Sequence, residues 1–234
     1  MSPEELVEEV AAAFKEAANP VLADQMYARL EGRFTYYGLL RPARDRAVAS
    51  ILERVPERPH NFWLLNLLEL CWMRREREMQ YFANDFLTTH VHLLEEPFPD
   101  VARRVVMVKP WWDTVDPFAV RILGPWIRRT GRHDVTDRWV RTSQRWMVRS
   151  ALLHQLSFGQ ATDEKRLFDY CLQHGRSEDH MVRKAVAWSL VTYRTSNPQA
   201  VERFLRRNPN AFTPDINVDL AKDLADSHSV AKPR

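Results

Sequence analysis

The chain has 234 residues, enough for one large domain or two small ones, and its 45% apolar content supplies a sizeable core, which excludes a disordered polymer. Net charge is only +3, so neither extreme acidity nor extreme basicity describes the whole molecule. No apolar run approaches the ~20 residues of a membrane span, and Ser2-Pro3-Glu4-Glu5 lacks a signal-peptide stretch, so a cytoplasmic protein is expected.

Six glycines against 14 prolines, with the prolines mostly between apolar-periodic runs, indicate helices. Ser2 and Glu5 form a capping box that opens a helix to about residue 18. Asn19-Pro20 breaks it, and further helices are expected over 21–31, 42–55 and the strongly apolar 61–73. The pattern continues over 77–94, 99–107, 112–129, 134–141, 144–158, 163–174, 178–193, 198–207 and 214–225. No segment alternates with a period of two, so no sheet is expected. The reading is an all-α single domain over 1–225 with a polar tail over 226–234.

An internal repeat refines that reading. Met147-Val148-Arg149-Ser150-Ala151 returns as Met181-Val182-Arg183-Lys184-Ala185, an offset of 34, with a weaker echo at Glu78–Ala83. Such a period in a helical chain means stacked antiparallel helix pairs, because one pair cannot bury its own apolar stripe. A curved α-solenoid of about 12–14 helices is the expected architecture. Arg149 and Arg183 then occupy equivalent positions, and His154 matches Trp188.

The charge is unevenly placed. Residues 1–100 carry 11 Lys/Arg against 17 Asp/Glu, while residues 101–150 carry 11 against 4. A basic block inside a folded chain points to a polyanion such as nucleic acid, although a solvated helical surface has the same composition. Of the 34 basic residues 28 are arginine, the better phosphate fork.

The densest chemistry lies in Lys109-Pro110-Trp111-Trp112-Asp113-Thr114-Val115-Asp116. Residues four apart share a helix face, so Trp112 and Asp116 project together, an indole beside an anion. That pairing suits a cationic, planar or sugar-like group. Trp111 reads as structural, Asp113 as a cap of the helix beginning there, and Trp63, Trp72, Trp126 and Trp139 as core. Cys71 and Cys171 read as reduced core thiols, and the histidines lack zinc-ligand spacing, so no metal is expected.

With these motifs assembled, the chain resembles the AlkD family of DNA alkylation-repair glycosylases, built from HEAT-like repeats. The likeness covers nearly the whole length. It rests on Lys109–Asp116, similar to the family's K-x-W-W-D-x-V-D, on Trp146–Ala151, on Lys184–Trp188 with Tyr193 and Asn197-Pro198, and on Phe34–Leu39 with Pro42 and Arg44. It implies excision of 3-methyladenine, 7-methylguanine and related cationic purines from double-stranded DNA; no cofactor is expected, and a monomer is expected because no residue pattern signals oligomerisation. It implies catalytic roles for Asp116, Trp112 and Trp188, and DNA contacts from Arg149; Lys109, Arg183, Lys184 and Arg44 join the candidate DNA contacts. It further implies that the lesioned base need not enter a pocket. Two positions depart from the pattern: Arg29 stands where a tyrosine is frequent, and Val191 where an arginine is frequent. A catalytically silent protein that binds distorted DNA is the alternative, disfavoured because pure binding does not need a carboxylate facing phosphates. A protein-binding scaffold would expect a concave face rich in apolar or mixed residues rather than a basic one.

Overall fold

The computed structural model describes residues 1–217. Thirteen α-helices account for most of them, and no strand occurs among the described residues beyond one isolated bridge between Thr35 and Glu76. The all-α expectation and the helix number therefore hold. The predicted helix over 214–225 runs past the last described residue, and the tail over 226–234 lies outside the described residues.

Two compact units divide the chain, Met1–Thr114 and Val115–Arg234. In the first, α1 (Pro3–Glu16), α2 (Pro20–Arg29), α3 (Arg41–Leu52), α4 (Asn61–Met73), α5 (Arg77–His90) and α6 (Phe98–Val105) lead to the start of α7 (Trp112–Phe118). Ser2 and Glu5 form the reciprocal capping box that opens α1, and Asn19 caps α2 through the Leu22 amide at 3.1 Å with Pro20 at the first helical position. α1 packs on α3 and α4, and α4 on α5 and α6. Leu6, Val10, Phe14, Leu64, Leu67, Leu68, Met79 and Leu87 form the core.

In the second unit, α8 (Gly124–Thr130), α9 (Asp134–Trp139), α10 (Arg145–Leu153), α11 (Glu164–His174), α12 (His180–Ser196) and α13 (Pro198–Arg207) follow a π-helical turn at Ala119–Leu123. α12 packs against α10, α11 and α13, and α10 against α9 and α11. Asp163, Asp179 and Asn197 cap α11, α12 and α13 through their side-chain oxygens. Phe118, Ile122, Trp126, Val135, Leu153, Cys171, Val186 and Leu190 fill the interior.

Three boundaries differ from the sequence reading. The segment 112–129, read as one helix, carries the π-helical turn between Pro117 and Pro125. Each proline lacks an amide donor, and the wider turn accommodates the interrupted ladder. The run 77–94 ends as a helix at His90 and finishes in a 3-10 turn at Val91–Leu93. The run 144–158 stops at Leu153, before a second 3-10 turn at Gly159–Ala161 that opens on Gly159 with φ 55°.

The repeat is visible in tertiary hydrogen bonds. Tyr170 bonds Thr136, His174 bonds the Val140 carbonyl at 2.7 Å, and Arg176 donates to the Asn210 carbonyl at 2.8 Å, each spanning 34 residues. In the first unit Asn61 reaches the Glu96 carbonyl and Arg104 reaches Glu69, each across 35. A near-constant separation between adjacent helices is what stacked helix pairs produce.

Candidate functional site

Lys109 has φ 47°, a left-handed conformation unusual for a residue with a side chain. Its ammonium donates to the carbonyls of Trp72, Met73 and Arg74, satisfying the free end of α4. Burial first, and then the nearby Arg77 cation, lower its pKa. Lys109, expected on DNA, is therefore committed to closing a helix.

Arg77 stands at the first position of α5 and is fully buried. Its Nε and Nη2 meet both Asp113 oxygens at 2.9 and 2.6 Å, Nη1 donates to the Lys109 carbonyl at 2.8 Å, and Nη2 also reaches the Thr114 hydroxyl at 2.9 Å. The guanidinium lies 3.7 Å above the Phe34 ring. Tyr81 donates to Asp113 at 2.6 Å. Asp113 is thus the anchor of a buried network rather than the helix cap expected for it. Trp111 carries Arg33 stacked at 3.9 Å, in keeping with a structural role.

Glu78, next to Arg77 and equally buried, accepts the amides of Tyr37, Gly38 and Leu39 at 3.1, 2.8 and 3.0 Å. Gly38 has φ 84°, and a Cβ there would lie 2.0 Å from the Asn19 carbonyl oxygen, so only glycine seats this loop. Arg44 donates to the Leu39 carbonyl at 3.2 Å and to Asp85 at 3.1 Å, and lies 5.1 Å over Tyr81. Two of its donors thus meet internal acceptors.

In the second unit, Asp116 is 7% exposed and receives Nε and Nη2 of Arg149, each at 2.7 Å. Arg149 also donates through Nη1 to the Met181 carbonyl, so its position between α7 and α12 is fixed. These contacts use three of its five N–H donors. The sequence placed Asp116 and Arg149 in separate roles; the structure joins them in one bidentate pair.

Trp112 and Trp188 are 36% and 44% exposed, whereas Trp63, Trp72, Trp126 and Trp139 are buried. Trp112 and Asp116 lie one turn apart along α7, and Trp188 and exposed Lys184 lie one turn apart along α12. Arg183 is engaged by Asp215 at 2.7 Å and by the Ser177 and Glu178 carbonyls at 2.9 Å. The Thr213 hydroxyl and Arg183 hold the Asp215 carboxyl down at about 2. Among the described residues no group of three or more His, Cys, Asp or Glu side chains is arranged to hold a metal ion, and no helix is long and apolar enough to cross a membrane.

Sequence reasoning missed Arg77, Glu78 and Tyr81. Arg74-Arg75-Glu76-Arg77-Glu78 reads as a solvated charge run, and nothing in its spacing separates the two buried members from their half-buried and exposed neighbours. The one available signal was the weak repeat echo beginning at Glu78.

A family model described as DNA alkylation repair enzyme matches residues 10–217. A solved structure, described as a predicted DNA alkylation repair enzyme from Enterococcus faecalis, is similar over 88% of this chain and 95% of that one, with 25% identity and a TM-score of 0.78. No protein of curated function matches the sequence.

Proposed function

Because the chain belongs to the DNA alkylation repair enzyme family, we propose that it is a monofunctional DNA glycosylase that hydrolyses the N-glycosidic bond of cationic N3- and N7-alkylated purines, with 3-methyladenine and 7-methylguanine as substrates. The observation that carries this reading is a carboxylate fixed by a bidentate arginine; Trp112, one turn before it along α7, and Trp188 on α12 are each left substantially exposed. Apolar rings are ordinarily buried, as those of Trp63, Trp72, Trp126 and Trp139 are.

Alkylation at N3 or N7 gives the purine a positive charge and weakens its bond to the deoxyribose. The bond's electron pair leaves with the purine, which departs neutral, and positive charge develops on the sugar. Asp116 stabilises that oxocarbenium character and orients the attacking water. Water adds at the anomeric carbon and its proton passes to the carboxylate or solvent. Trp112 and Trp188 hold the sugar by their faces, each contributing roughly 0.5–2 kcal/mol of cation–π attraction. Arg149 keeps Asp116 in one orientation and directs its remaining donors to a phosphate beside the lesion. Lys184 supplies a second phosphate contact. Lys109, Arg183 and Arg44, the other candidate DNA contacts, are each also bonded within the fold, to the end of α4, to Asp215 and to Asp85. A leaving group activated by its own charge needs no enclosing pocket, so the base can remain in the helix.

The test incubates the protein with methylated DNA and separates released bases by chromatography. Release of 3-methyladenine and 7-methylguanine above the spontaneous rate is expected. DNA binding without release would replace this reading by that of a catalytically silent DNA-structure-binding protein.

A further inference from the structure

The proposed chemistry makes no use of Arg77-Glu78, yet both side chains are completely withdrawn from solvent. Burying an ion pair such as Arg77–Asp113 is weak support for stability, since well-packed apolar side chains of similar volume often serve as well. What the buried guanidinium does is therefore read from where its bonds go. They go to the Lys109 carbonyl, the Asp113 carboxylate and the Thr114 hydroxyl, three residues that bracket Trp112 on both sides in the chain. Lys109 is held in a left-handed conformation by its own ammonium on the end of α4. Phe34 closes the opposite face of the guanidinium, and Glu78 pins the backbone that follows Phe34 through three amides.

Trp112, by contrast, is 36% exposed, so part of its ring is open to solvent. The backbone from which the indole projects is what Arg77 fastens. We propose that Arg77 is a positioning residue for Trp112: it fixes the start of α7 so that the indole is presented in one orientation, with Glu78 holding the aromatic loop that covers the guanidinium. The proposal rests on the reading of Trp112 as the residue that receives the deoxyribose, and it adds a residue whose influence on the reaction passes through that ring. A planar fork is required for three differently directed acceptors, and lysine, with one point of charge, cannot reproduce it.

The experiment uses the full chain labelled with 5-fluorotryptophan, which places a 19F reporter on each of its eight tryptophans. Trp112→Phe assigns the Trp112 resonance. Arg77→Lys keeps the charge and removes the fork. We expect the Trp112 resonance to shift and broaden while that of Trp126, buried in the other unit, stays in place. Base release is expected to fall about 10-fold in Arg77→Lys but less than about 2-fold when the same change is made in the Trp112→Phe background. Asp113→Asn, which weakens the same link from its other end, provides the same readouts should Arg77→Lys not fold. An unmoved Trp112 resonance in either folded variant, or equal rate losses in both backgrounds, overturns the proposal. If the unaltered protein releases no alkylated base, the glycosylase reading fails by itself, and the 19F spectrum still decides whether Arg77 positions the ring.

Discussion

Asp116 and Arg149 hold each other by two 2.7 Å bonds in a buried setting, so substitution of either has separable consequences. Asp116→Asn keeps the shape and removes the charge proposed to stabilise the developing cation. Base release is expected to slow at least ~10-fold, about 1.4 kcal/mol of transition-state stabilisation, with DNA affinity kept or raised. A variant as fast as the parent would remove Asp116 from the mechanism. Arg149→Ala instead leaves a buried carboxylate without its guanidinium. A stability loss of about 3–5 kcal/mol is expected, read as a lowered denaturant midpoint, and a midpoint within error of the parent would show that the pair contributes nothing to folding. Trp188→Ala is expected to lower stability by about 1–2 kcal/mol, because more than half of the residue is covered, while reducing base release. Asp116 and Trp112 were legible in the sequence because four-residue spacing is a local property of a helix. The partnership of Asp116 with Arg149 was not, because it joins residues 33 apart.

Between α7 and α8 the prolines that divide the helix also bring Gly124 against the carbonyl of His154, where a Cβ would lie 2.0 Å from the oxygen. That neighbour is backbone and cannot swing aside, so Gly124→Ala is expected to destabilise by about 1–3 kcal/mol in chemical denaturation. A melt unchanged from the parent would show that α8 and α10 separate easily. His154 itself is fully buried, with Nδ1 2.6 Å from the Ala151 carbonyl. Burial lowers its pKa to about 4. The unfolded chain, with an ordinary value near ~6.5, binds the proton first, so the neutral buried ring costs stability as pH falls. Its contribution is intact above about pH 6.5 and declines towards pH 4, by about 3 kcal/mol at most. Comparing midpoints at pH 7 and 4.5, the parent is expected to lose more than His154→Leu; equal losses would exonerate the imidazole. The helices themselves were readable from caps and apolar spacing. The π-helical turn was not, because a proline marks an interruption without saying how the ladder is repaired.

Across the whole chain, positive charge is concentrated within residues 101–150, yet several of its cations, and others before and after it, are spent on neighbouring helices. Arg44 faces Asp85, Arg77 faces Asp113, Arg145 faces Asp179 and Arg183 faces Asp215, so an arginine–aspartate pair recurs between elements about one repeat apart. Formal charge therefore overstates what is available to phosphate. Binding to duplex DNA is expected to weaken linearly in log[salt], and Lys184→Ala to reduce the slope by about 0.9, the share of one phosphate. Arg44→Ala is expected to leave that slope unchanged while lowering the melting midpoint. Equal slopes for the parent and Lys184→Ala would remove Lys184 from the interface.

The helical class, the repeat spacing, the core tryptophans and the cluster around Lys109–Asp116 are legible in the residues alone. Each of these is a consequence of short-range periodicity, capping or composition, which neighbouring residues impose on one another. Only the tertiary structure decided which charges are free. Lys109, Arg44, Arg183 and Arg149 look alike in a sequence, but whether a guanidinium or ammonium meets a carbonyl, a carboxylate or solvent depends on the helix that stacks beside it. The buried Arg77-Glu78 pair belongs to the same class: its burial follows from packing between segments some 40 residues apart, which no local pattern encodes.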